Sequence, residues 1–247
     1  MINFSAIRSR SWFGKLLRAP LNLVPDNAVM PILQGPLKGN RWIAGAATHG
    51  CWLGSYELDK QMAMVAHIRP DQVVYDIGAN VGFYTLLAAK QVGSGGYVIA
   101  FEPFERNIQF LKRHIALNRL NNVTIETKAV GAENGQAFFQ EGNSPSMGHL
   151  AAVGIPVELI TVDTVAAAGH APDVLKIDVE GAELDVLKGA SHTLTDHSPI
   201  IFLATHGEHV HQACIDFLHQ HAYTVEGIDG QSVDKTDELY AYRSASG

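Results

Sequence analysis

The sequence predicts a doubly wound α/β domain built on a mostly parallel sheet and preceded by an N-terminal arm. Three observations carry this reading. From about residue 57, short apolar strands alternate with helical segments, the pattern of βαβ units. A glycine-bearing turn, Asp76-Ile77-Gly78-Ala79-Asn80-Val81-Gly82, leads from a buried strand into a helix. The next strand then ends on an acidic residue, Glu102, twenty positions beyond Gly82. With 47% hydrophobic and 17% charged residues in 247, the composition excludes disordered and low-complexity classes and fits one large domain.

The first forty residues carry Pro20, Pro25, Pro31 and Pro36, so beyond one short helix an irregular or extended chain is expected. Residues 1–53 are read as an arm and 54–247 as the domain. Within the domain, strands are expected at Gln72–Ile77, Tyr97–Phe101, Val123–Val130, Val157–Thr161, Val174–Ile177 and Pro199–Thr205. Helices are expected over Val81–Lys90, Glu105–Asn118, a short stretch after Asp163, the segment up to Lys188, and Val210–His221. The Gly/Ser/Pro-containing stretch Gly142–Gly154 reads as irregular, and Tyr223–Glu226 with Leu239–Tyr242 suits an antiparallel edge.

Open α/β sheets bind ligands beyond the carboxyl ends of their strands, where the strand order reverses. Glycines there permit a tight turn, and free N–H groups at the helix start hold an anion. The spacing is Asp-x-Gly-x-x-x-Gly, with Asn80 where a dinucleotide fingerprint would have its second glycine, so it favours S-adenosylmethionine over a nicotinamide cofactor. In that arrangement the loop backbone meets the amino-acid part and Asp76 faces the ammonium, while Glu102 accepts hydrogen bonds from the ribose hydroxyls. A glycine turn serving packing alone is the plainer alternative.

In the segment Asp173–Glu183 (DVLKIDVEGAE), Lys176 lies in an otherwise apolar strand and must find a partner, because an unpaired buried charge is costly. The two-residue strand period nominates Asp178. A structural ion pair with Glu180 and Glu183 opening the next helix is the alternative to an active-site floor. His206 follows the apolar strand Pro199–Thr205 on the same rim and titrates near neutrality. His206 or Asp178 is therefore the candidate base, with Lys176 holding Asp178 ionised and oriented. Glu208, His209 and His211 do not have a spacing that gathers three ligands on one helix face, and no metal is expected.

Together YDIGANVGFYTLLAAK, AFEPFERNIQFLKRHIALN and DVLKIDVEGAELDVLKGA, across roughly residues 54–225, resemble the FkbM-type family of class I methyltransferases. The resemblance implies a Rossmann-like seven-stranded sheet and S-adenosylmethionine-dependent O-methylation of a hydroxyl on a sugar, glycan or polyketide-type product. It also implies that Asp76, Gly78, Asn80, Gly82 and Thr85 contact the methionine moiety, that Glu102 holds the ribose and Pro103 flanks the adenine, and that Asp178 lies near the reactive methyl. Tyr56 and Glu57, in WLGSYE, should lie over the cofactor. One position departs from the family pattern: Ala204 stands two before His206, where an acidic residue is common. An NAD(P)-binding oxidoreductase and a non-catalytic cofactor-binding module remain as alternatives.

Charge narrows the partners. The net charge is -7, but residues 1–41 carry +5, leaving -12 on the rest, which disfavours nucleic acid. The absence of a DPPY or NPPY tetrapeptide and of a cysteine suited to act as nucleophile points the same way. The expected partner is a small-molecule or glycan hydroxyl acceptor. Trp12, Phe13, Leu16 and Leu17 interleave with Arg8, Arg10, Lys15 and Arg18, a face suited to peripheral membrane contact or to packing on the body or a second subunit, as in a homodimer. No apolar run reaches the roughly 18–20 residues of a membrane span. The start lacks a signal-peptide pattern, and Cys51 and Cys214 have no paired spacing, so a cytoplasmic setting is expected.

Overall fold

The computed structural model describes residues 21, 23–141, 148–151, 154–228 and 230–244. The short helix and basic amphipathic face expected in the first twenty residues lie outside them, as do residues 142–147, 152 and 153 of the stretch read as irregular.

The central sheet has seven strands. β3 (Val73–Ile77), β4 (Tyr97–Phe101), β5 (Val123–Glu126), β10 (Val174–Ile177), β11 (Ile200–Ala204), β12 (Thr224–Gly227) and β13 (Glu238–Tyr242) lie in the order β12-β13-β11-β10-β3-β4-β5. The five from β11 to β5 run parallel, and β13 is antiparallel to both of its neighbours. The last two strands are thus the expected antiparallel pair, β13 lying beside β11 and β12 at that edge of the sheet. The order reverses between β3 and β10, so the loops after these strands face one crevice.

Both faces of the sheet are apolar, as a buried parallel sheet requires. Val74, Val98, Val174 and Phe202 join one core, and Tyr75, Ile77, Ile99, Phe101, Leu175, Ile177, Ile201 and Leu203 join the other. Helices α3 (Phe83–Val92) and α4 (Glu105–Leu117) follow β3 and β4, α6 (Glu183–Lys188) follows β10, and α8 (Glu208–Gln220) follows β11.

Several elements differ from the sequence expectation. Val123–Val130 is two strands: β5 stays in the main sheet, while β6 (Ala129–Val130) pairs with β9 (Ile155–Ile160) in a second sheet. That four-stranded sheet, β6-β9-β7-β8, also contains β7 (Gly135–Glu141) and β8 (Gly148–Ala151), so part of the expected irregular stretch is a hairpin. α5 (Val162–Ala167) is followed, after α6, by an unforeseen α7 (Ser191–Asp196), pinned where Asp163 accepts hydrogen bonds from His192 N, Thr193 N and Thr193 Oγ1.

The segment before residue 58 is also more structured than its prolines suggested. β1 (Val29–Pro31) pairs antiparallel with β2 (Arg41–Ile43), and α1 (His49–Leu53) precedes α2 (Leu58–His67). Trp42 is fully buried and stacks on His114 of α4, 3.9 Å between ring centroids. His114 Nε2 accepts from Ile43 N (3.0 Å) and Nδ1 donates to Val81 O (2.8 Å). Burial lowers the pKa of this imidazole to about 4, so it is neutral at physiological pH. Among the described residues no helix is long and apolar enough to cross a membrane.

Candidate active site

At the end of β3 the chain turns sharply. Gly78 has φ +75°, and a Cβ there would fall 1.9 Å from the carbonyl oxygen of Asp178. Glycine is required because the loop after β10 passes against it, not only because of its own dihedral. Gly78 N and Ala79 N donate to Phe101 O (3.1 and 2.9 Å), tying the turn to β4. Asn80 takes a left-handed conformation, φ +50°, tolerated better by asparagine than by most residues. Gly82 admits Leu111 of α4, whose Cδ1 would lie 2.5 Å from a Cβ.

This turn presents a finished carboxylate. Glu102 is 4% exposed; Oε2 accepts from Asn80 N (2.8 Å), and Oε1 from Phe104 N (2.9 Å) and Asn107 Nδ2 (3.3 Å). Burial raises its pKa in spite of these donors. Beside it, the buried amide oxygens of Asn80 and Asn107 have no hydrogen-bond partner among the described residues. Such atoms are costly unless a ligand donor meets them.

The other end of the crevice is dense with charge. Lys176, 3% exposed, ion-pairs with Asp76 Oδ1 at 3.1 Å and donates to Gly78 O at 2.8 Å, with Asp178 Oδ2 farther at 3.9 Å. The expected Lys176–Asp178 pairing is therefore secondary. β10 ends at Ile177, and the parallel register sets Lys176 directly opposite Asp76. Thr85 Oγ1 donates to the other Asp76 oxygen (2.6 Å).

His206 Nδ1 donates to Glu183 Oε1 (2.8 Å), while Nε2 faces Glu180 Oε2 (3.6 Å) and Asp178 Oδ1 (3.8 Å). The Glu183 hydrogen bond, aided by Asp178 and Glu180 and opposed by burial, raises the His206 pKa to about 9. His206 is consequently an imidazolium at neutral pH, which counts against its expected role as a resting base. Asp178, Glu180 and His206 each offer one ligand-type atom, and these lie within 4.8 Å of one another. His211 is committed elsewhere, to Thr205 Oγ1 and Val233 O.

The crevice between these ends has a volume of about 290 Å³, near the lower bound of about 300–1,000 Å³ for small-molecule sites. Tyr56, Glu57, Gly78, Asn80, Glu102, Pro103, Lys176, Asp178 and His206 all line it. Asp76, Gly82 and Thr85 do not: they are the layer beneath, Asp76 being 1% and Thr85 0% exposed. The expected direct contact of these three with a ligand is thus not what the geometry offers, because the two Asp76 oxygens are engaged by Lys176 and Thr85.

Sequence reasoning missed Lys60, Asn107, Thr48 and Glu238. Thr48, Asn107 and Glu238 line the crevice. Lys60 is 3% exposed and ion-pairs with Glu238 Oε1 (2.6 Å) and Glu57 Oε2 (2.9 Å). The one available signal was the position of Asn107 on the first turn of α4, five residues after Glu102.

The chain matches the methyltransferase FkbM domain family over residues 76–225. It is 26% identical to the hexuronic acid methyltransferase AglP of Haloferax volcanii over 153 residues, covering 56% of this chain and 58% of that one. It is 26% identical to Methyltransferase 1 of Beauveria bassiana over 152 residues, covering 51% and 61%. The match thus spans about three fifths of each relative's length. The structure of an FkbM methyltransferase from Methylobacillus flagellatus KT shares the fold at a TM-score of 0.51 and 20% identity, over 70% of this chain and 44% of that one. Seven strands in this order, the crevice at their reversal and a family match covering more than half of the sequence make this chain a member of the FkbM methyltransferase family.

Proposed function

We propose that the protein is an S-adenosylmethionine-dependent O-methyltransferase acting on a hydroxyl of a sugar, glycan or polyketide-type acceptor. The observation that carries this reading is the Glu102 carboxylate, fixed by three donors beside two unpartnered buried amide oxygens, at the switch point of a sheet of this order. Those groups fit an adenosine, which offers hydroxyl and amine donors. Glu102 would hold the ribose and Pro103 would flank the adenine. Gly78 and Asn80 would border the amino-acid part, with Tyr56 and Glu57 covering it and Asp76 and Thr85 supporting the loop from below. Bound there, S-adenosylmethionine supplies a methyl group already activated on its sulfonium.

The chain's own task is then to align an acceptor oxygen and take up its proton. Asp178 is the assigned proton acceptor. It is 23% exposed on the crevice wall, and His206 carries a proton already. Lys176 and Lys60 lie 3.9 and 3.8 Å from Asp178 Oδ2, which leaves its other oxygen turned toward His206 and the crevice. The sugar class is carried over from AglP, by name a hexuronic acid methyltransferase.

The test is incubation with methyl-labelled S-adenosylmethionine and a panel of hydroxylated glycans and polyketides, with the linkage read by NMR. The expected product is a methyl ether whose formation is lost in Asp178→Asn. Label on nitrogen or carbon, or full turnover by Asp178→Asn, overturns the assignment.

A further inference from the structure

Three carboxylates that line the crevice come from distant parts of the chain: Glu57 before α2, Asp178 after β10 and Glu238 at the start of β13. Left alone they would repel one another across a half-buried wall. They converge instead on one ammonium, that of Lys60, at 2.9 Å from Glu57 Oε2, 2.6 Å from Glu238 Oε1 and 3.8 Å from Asp178 Oδ2. Lys60 does not line the crevice and is 3% exposed. Burial works against its charge, but Asp178, Glu238 and Glu57 more than compensate and raise its pKa. The grip extends outward: Tyr84 OH donates to Glu57 Oε2 (2.8 Å), and the Lys60 ammonium lies 5.3 Å from the centre of the Tyr84 ring.

The segment held this way carries part of the ligand wall. Thr48, Cys51, Tyr56 and Glu57 line the crevice and precede the family-matched residues 76–225, and Glu238 follows them. Glu57 itself has a left-handed backbone, φ +40°, a conformation that a non-glycine residue keeps only where its surroundings enforce it.

We propose that Lys60 is a positioning residue that draws Glu57, Asp178 and Glu238 into one junction, and so closes the segment 48–57 over the cofactor crevice. This rests on the cofactor reading above. Its basis is charge compensation: removing the ammonium takes the ion pair from Glu57 and from Glu238 and leaves three neighbouring carboxylates to repel one another, whereas removing the Glu238 charge as well relieves part of that repulsion.

The test is calorimetric titration of the full chain with S-adenosylmethionine for wild type, Lys60→Met, Glu238→Gln and the double variant, with hydrogen exchange on each apo protein. Lys60→Met should weaken binding by about tenfold or more and speed exchange in residues 48–57 while leaving α4 protected. Adding Glu238→Gln should recover part of both losses, which a merely space-filling lysine would not allow. Wild-type-like binding by Lys60→Met, or a double variant no better than the single one, overturns the inference. Should Lys60→Met fail to fold, the double variant decides: if charge compensation is the cause it folds and binds, and if it too is unfolded the inference falls. A wild type that does not bind S-adenosylmethionine would sink the cofactor reading itself, a distinct outcome.

Discussion

The two ends of the crevice are built by different physics. At the Glu102 end, backbone and side-chain N–H groups of Asn80, Phe104 and Asn107 fix one carboxylate within a stretch of 28 residues. At the Asp178 end, Lys60, Lys176 and His206 are set among carboxylates gathered from residues 57 to 238. The first end is rigid because its partners are local and mostly main chain; the second depends on side chains whose charges must balance. Substitutions at the Glu102 end should therefore act on affinity alone, and those at the other should also move titrations.

The largest effect is expected where the two ends touch. Gly78→Ala would drive a Cβ into the Asp178 carbonyl oxygen, prising the loops apart. Urea denaturation should show about 2–4 kcal/mol lost, with cofactor binding abolished; a near-neutral result would mean that the loops do not need this contact. Next comes Glu102→Ala, which should lower S-adenosyl affinity about 100-fold, or roughly 2.7 kcal/mol, in equilibrium dialysis. The His206 midpoint should not move in this variant, and a shift would erase the contrast drawn between the ends.

The smallest effect is a titration. NMR should place the His206 midpoint near 9, and Glu183→Gln should bring it back toward 6.5, because the Glu183 hydrogen bond is the largest cause of the rise. Since the folded value lies above the unfolded one, His206 stabilises the fold fully below pH 6.5, and this contribution fades as pH rises through 9. An unchanged midpoint in Glu183→Gln would assign the shift to Asp178 and Glu180 instead.

The same contrast explains what could be read from the sequence. The Asp76–Gly82 turn and Glu102 were legible because strand end, turn and helix start are contiguous, and their chemistry is dictated by backbone geometry. Strands β3, β4, β10 and β11 were equally plain, since both faces are buried and the apolar runs are nearly continuous. Lys176 was recognised as needing a partner, yet the strand period pointed to Asp178, while sheet register placed Asp76 opposite it. No local pattern marks Lys60 or Glu238, which meet across 178 positions. The prolines before residue 40 suggested irregular chain, whereas Trp42 finds a stacking partner in His114, 72 residues on. Long-range pairings of this kind are fixed by topology and leave no periodic trace.

The most direct test of the whole account is a calorimetric titration of the wild-type chain with S-adenosylmethionine, S-adenosylhomocysteine and NAD(H). Micromolar binding of both S-adenosyl compounds, and none of the nicotinamide, is expected. Binding of NAD(H) alone, or of no ligand among the three, would contradict it.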